Sequence, residues 1–208
     1  MKELKDKLIF KAKKNKNLLL FLIGISIIGL ISGSIFLTII NKSDQQLVKE
    51  YIEKFIIGID QNKLNYLEAL KNTLLSNLAF ILVIWILGLT VLGIPLTIFI
   101  YFTKSFILGF SISSFVLQYG IKGCLISIIY IIPSLLNLVI YTILMIFAIH
   151  FSKRLLYMTV KKKEIHLKET IGRYITFLVV AIILMIFNAL LEVFIVPTLI
   201  QKILFLIR

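Results

Sequence analysis

An internal disulfide is excluded from the outset, because Cys124 is the only cysteine in 208 residues. It lies in an apolar run that gives thiolate chemistry no support, and it reads as a packing residue. Histidine is almost as scarce. His150 falls at the edge of an apolar run and His166 in a basic segment, with neither HExxH spacing nor cysteine partners, so no zinc site is expected. A Walker A phosphate loop, a GxSxG elbow and a paired-carboxylate site are all missing. The chain is therefore read as non-enzymatic, with no cofactor and no metal. Acidic residues are few as well, 10 against 23 Lys and Arg.

What the chain has in abundance is apolar surface. Sixty per cent of its residues are hydrophobic and its mean hydropathy is +1.03, more than a water-soluble globule of this length can bury. Uninterrupted apolar runs of about 20 residues point to membrane helices rather than to the alternating strands of a barrel. The expected fold is all-α and polytopic, a single membrane domain with about five spans. These are placed at residues 18–40, 78–102, 105–121, 124–149 and 174–200. The first run is too long for a signal-peptide core and should remain as an anchor. The third is at the lower limit for crossing, so a re-entrant helix is the alternative there.

Charge gives a second view of topology. Residues 1–17 carry seven lysines against Glu3 and Asp6, and residues 150–173 carry Lys153, Arg154, Lys161, Lys162, Lys163, Lys168 and Arg173. Both segments are expected to be cytoplasmic. An even number of crossings must separate them, which favours counting 105–121 as a span. The amino terminus is then inside, and the carboxy terminus, with a short tail at 201–208, outside. The excess of basic charge is explained by topology and by anionic lipid, so nucleic acid is not an expected partner and the bilayer is.

The expected external segment, 41–77, balances five lysines with five acidic residues. Ser43 and Gln46 have capping-box spacing and Asp44 suits a helix N-terminus. Leu47, Tyr51, Ile52, Phe55, Ile56 and Ile59 follow at helical spacing. An amphipathic helix is predicted there, with a break over residues 58–62 and a helical pattern resuming at Leu64. Leu47, Tyr51 and Phe55 are candidates for docking a partner; resting on lipid is the other reading.

Within the spans, Gly29 and Gly33 form a GxxxG pair, and Ser105, Gly109 and Ser113 recur every fourth residue. Both patterns let helix backbones approach closely, within one subunit in preference to across a homodimer. Asn188 and Glu192 share a helix face inside the last run. They suit an ion or partner contact, although Pro197 suggests that the helix ends nearby and leaves Glu192 at the outer interface, in reach of water. Pro95 and Pro133 are placed within spans, as kinks, with Asn137 one turn beyond Pro133.

One stretch is more specific. Residues 74–119 read LLSNLAFILVIWILGLTVLGIPLTIFIYFTKSFILGFSISSFVLQY. Its marks are Asn77-Leu78, the Trp85 to Gly88 segment, Gly93-Ile94-Pro95, and Lys104 leading into Gly109-Phe110. Gly120, Lys122-Gly123 and the Pro133 to Asn137 segment follow. This order of marks resembles stage II sporulation protein M of endospore-forming bacteria. The resemblance implies a role in engulfment, when the mother-cell membrane migrates around the forespore. It implies a complex with stage II sporulation proteins D and P, which cut peptidoglycan, and it implies that the M component is the membrane scaffold. A small transporter or permease-like subunit is the alternative, favoured by kinked helices and by Asn137, Asn188 and Glu192.

Overall fold

The computed structural model describes residues 15–61, 63–90, 93–161 and 167–207, and every regular element among them is helical. In chain order these are α1 (Lys16–Ile39), α2 (Lys42–Asp60), α3 (Tyr66–Gly88), α4 (Gly93–Tyr119), α5 (Ile121–Lys161) and α6 (Leu167–Leu190). A π-helical segment, Leu191–Ile195, then joins α6 to α7 (Val196–Ile207). Five stretches are long and apolar enough to cross a membrane: α1, α3, α4, Ile121–Met158 within α5, and Glu169–Phe205, which runs through the π segment into α7. Large apolar side chains such as Ile28, Phe99, Ile132 and Ile183 are exposed on the outside of the bundle. In water that surface would aggregate, and in lipid it is the solvated face. The basic segment before Asn15 and residues 162–166, with His166, lie outside the described residues.

Several boundaries differ from those read off the sequence. The second and third spans do not divide at residues 103–104: one helix ends at Gly88 and the next starts at Gly93, so the spans expected at 78–102 and 105–121 are replaced by α3 and α4. Thr90 closes α3 by bonding back to Leu87 O through both its amide and its hydroxyl. At Gly93 a Cβ would lie 1.9 Å from Leu87 O, so only glycine fits this return. Pro95 is consequently not a mid-span kink; it occupies the first turn of α4, where its missing N–H costs no helical bond. With 27 residues α4 is about 40 Å long, well beyond a re-entrant helix.

Helix α5 continues to Lys161, so much of the expected loop at 150–173 is helical, and the chain is helical again from Leu167. Nor does Pro197 end the last helix. The π segment before it shifts the hydrogen-bond register, with Val196 N–H reaching Leu191 O, and the helix then runs to Ile207 in place of an irregular tail. Glu192 is therefore held within the helix. Cys124 proves exposed on the outside of α5, not packed in the core.

The bundle is centred on α5, whose Tyr141, Leu144 and Met145 are almost fully buried among residues of α1, α3, α4 and α6. Short connections join α3 to α4 and α4 to α5, whereas α2 intervenes between α1 and α3. Gly120, with φ of 56°, turns α4 into α5. At one end of the bundle Ser152 on α5 donates to Thr90 O, and His150 bonds Asn15. At the opposite end α2 lies across the bundle. Its Ile56 and Ile59 are buried against Phe115 of α4, Ile126 of α5, and Val196 and Ile200 of α7.

Helix α2 starts at Lys42 rather than through a Ser43–Gln46 capping box. Gln46 instead bonds Glu50, and the neighbouring Gln45 reaches back to Leu37 O and Ile40 O, capping α1. The break after α2 falls at Gln61. Asn65 then caps α3, accepting from Glu68 N–H while donating to the Glu68 carboxylate.

Candidate functional site

Two features stand out from a bundle that is otherwise apolar: a polar cluster at its centre and the outward face of α2. The cluster assembles from four spans. Asn77, only 4 % exposed on α3, accepts at Oδ1 from Tyr141 OH of α5 at 3.0 Å and from Lys104 Nζ of α4 at 3.3 Å. The Lys104 ammonium also sits 4.1 Å from the centre of the Phe80 ring, so an aromatic face shields the charge on one side. Beside these, Tyr101 and Thr142 share a hydrogen bond of 2.7 Å.

The second half of the cluster gathers around Asn137, one turn before Tyr141 on α5. Asn137 donates to the Glu192 carboxylate at 3.3 Å and accepts from Asn188 Nδ2 at 2.6 Å. The same Asn188 amide reaches Pro133 O at 2.8 Å, binding α6 to the proline turn of α5. Lys104 and Glu192 lie in the two halves of the cluster and make no ion pair with one another. A charge inside hydrocarbon costs several kcal/mol unless it is paired or hydrogen-bonded, and the Asn77 and Asn137 amides supply those hydrogen bonds.

Sequence reasoning had placed Asn188 and Glu192 on one face, and had singled out Asn77, Lys104 and Pro133 as marks of the resemblance. The structure brings all five into this one cluster. It missed Tyr141 and Phe80. Tyr141 was legible in principle, since Pro133, Asn137 and Tyr141 recur every fourth residue on α5.

The remaining marked residues are packing devices. Gly29 and Gly33 of α1 meet the backbone of α4 around Phe102 to Phe106, and Gly109 of α4 meets the backbone at Leu30. Ser105, fully buried, donates to Ser26, while Ser34 donates to Gly109 O at 3.2 Å. Ser113 is half-buried further along α4. At Gly88 a Cβ would fall 2.2 Å from the Tyr174 hydroxyl, which donates to Trp85 O and stacks its ring on the Trp85 indole.

On α2, Leu47 and Tyr51 are 60 % and 80 % exposed. Phe55 is less so, with its ring 6.4 Å from that of Phe115. The helix therefore has two apolar stripes. One, at Ile56 and Ile59, fastens it to the bundle. The other points away, and includes Leu47 and Tyr51.

A family model for stage II sporulation protein M matches residues 17–197, from the start of α1 to the beginning of α7. The chain belongs to the stage II sporulation protein M family. The match takes in every helix that contributes to the polar cluster, the glycine contacts between α1 and α4, and the whole of α2. Comparison with curated proteins and with solved structures finds no significant match. The chain is thus a multi-pass, all-α member of a sporulation family.

Proposed function

We propose that the protein is a non-enzymatic membrane scaffold of the engulfment machinery. In this reading it resides in the mother-cell septal and engulfing membranes. It anchors and positions peptidoglycan hydrolases, stage II sporulation proteins D and P, on the outer side of that membrane. The amino terminus and the basic ends of the spans face the cytoplasm, in keeping with Lys16, Lys153, Arg154 and Arg173 at one end of the bundle. Helix α2 is then external.

The observation that carries the proposal, beside family membership, is the construction of α2. A helix fastened by Ile56 and Ile59 while presenting Leu47 and Tyr51 outward is a rigid platform with unspent apolar surface. The test is imaging of sporulating cells that lack the gene, with a membrane dye to follow the mother-cell membrane. Arrest at a flat or bulging septum with persistent septal wall is the expected result. Complete engulfment would overturn the reading.

One observation favours a second reading, a small transporter or permease-like subunit. Lys104 had been placed between two spans, but it lies in the middle of α4 and shares a polar cluster with Glu192. Charged side chains at such depth mark solute or proton pathways in other membrane proteins. Solute flux into vesicles containing the purified chain, abolished by Lys104→Met, would favour this reading over the scaffold.

A further inference from the structure

The π segment sits where the two features described above meet. On its inner side Glu192 accepts from Asn137, within the polar cluster that also holds Lys104. One turn later, Val196 and Ile200 form part of the floor on which Ile56 and Ile59 of α2 rest. A single five-residue irregularity therefore separates the buried charges from the seat of the external helix. The polar groups of the cluster are incompletely satisfied. Asn188 Oδ1 is buried without a hydrogen-bond partner among the described residues, and Glu192 and Lys104 stop short of an ion pair. Incomplete satisfaction in a buried polar network costs free energy, which narrows the gap to any other arrangement of the segment.

The competitor is geometrically defined. A π segment holds one residue more than the α-helical register allows, and relaxing it to α turns everything beyond it by about 100°. Val196 and Ile200 would then leave the underside of α2. Pro197 opposes that change, because in the α register its ring collides with the carbonyl four residues earlier. The hydrogen bond from Asn137 opposes it too, by fixing Glu192 within the segment.

We propose that the π segment at Leu191–Ile195 is a two-register switch that couples the Lys104–Glu192 cluster inside the membrane to the seating of α2 on its outer surface. Loss of either charge releases the segment, α7 turns, and α2 loses the part of its floor that Val196 and Ile200 form. The switch itself stands on the geometry of this chain alone. Its bearing on hydrolase docking rests on the scaffold reading.

The test measures distance within the purified full chain in lipid nanodiscs and needs no partner, so its failure is distinguishable from failure of the scaffold reading. Nitroxide labels go on Lys54→Cys of α2 and Lys202→Cys of α7, both exposed, in a Cys124→Ser background. A 100° turn moves a group on the helix surface by about 8 Å, within reach of pulsed electron resonance. Pro197→Ala, Glu192→Gln and Lys104→Gln should each populate the same second distance. Lys104→Gln is the most telling of these, since Lys104 is on another helix and makes no hydrogen bond to the segment. Unchanged distances in the folded variants would overturn the proposal. So would a label that moves with Pro197→Ala but with neither charge substitution, because the register would then be indifferent to charge.

Discussion

Replacing Gly33 by alanine should separate α1 from α4 and measurably destabilise the bundle. A Cβ at this position would lie 2.0 Å from Phe106 O and 2.9 Å from Phe110 N, and both are backbone atoms that no rotamer change can move. Ordinary contact begins near 3.4 Å, so the helices must part by roughly 1.4 Å along that line. The consequences spread along the seam. The Ser34 hydroxyl would lose Gly109 O, now 3.2 Å away, and the Ser105–Ser26 bond of 3.2 Å would stretch. Overpacking of this kind costs about 1–3 kcal/mol, and close approach of backbones is the main attraction between helices in lipid. Gly24 is an internal control on the same helix, since a Cβ there meets nothing within 4 Å. In thermal unfolding of the full chain in detergent, Gly33→Ala should lower Tm by several degrees while Gly24→Ala leaves it unchanged or raises it slightly. Equal Tm values for the two variants would refute the packing of α1 against α4.

Other sites give further expectations. Gly109→Ala meets Leu30 O at the same 2.0 Å, so the double variant with Gly33→Ala should cost less than the two single effects added, because either one alone already opens the seam. Tyr141→Phe removes one donor to Asn77 and should cost about 1 kcal/mol in chemical unfolding, whereas Lys104→Met removes a charged donor to the same oxygen and should cost more. Combining Lys104→Met with Glu192→Gln should recover part of that loss, and strict additivity would show that the two charges are not coupled. Gly88→Ala should displace Tyr174 from Trp85, which tryptophan fluorescence can follow, Trp85 being the only tryptophan. Reporters fused after Gln118 and at the carboxy terminus should label from the same side of the membrane, since the C-terminal end of α4 and α7 both pack under α2.

The apolar runs and the helical spacing of Ile52, Ile56 and Ile59 made the five long helices and α2 legible, because both follow from burial patterns that repeat along the chain. What escaped was governed by contacts between distant residues. The stretch from Leu78 to Phe102 carries no charge, so hydropathy gives no sign that one helix ends at Gly88 and the next begins at Gly93. Gly93 and Pro95 did carry it, as residues suited to a tight turn and a helix start, but a proline amid apolar residues reads equally as a kink. Lys104, a mark of the resemblance, falls between the spans expected at 78–102 and 105–121, where its charge interrupts the apolar run. Only Asn77, Phe80 and Tyr141, contributed by other helices, make a mid-span ammonium tolerable. Pro197 misled for a similar reason. Its cost to the helix is absorbed by a π segment that has no signature of its own in sequence. The capping of α1 by Gln45 was equally hidden, since Gln46 one residue later fitted the familiar spacing better.

Recruitment of the hydrolases through α2 is the central claim, and affinity co-purification from sporulating cells tests it most directly. Tagged wild-type protein is compared with a Leu47→Asp, Tyr51→Asp variant, whose changes lie on the exposed stripe and leave Ile56 and Ile59 in place. The account predicts that stage II sporulation proteins D and P co-purify with the wild type and are lost from the variant, with both proteins equally abundant in the membrane. Undiminished recovery of the hydrolases with the variant would contradict it.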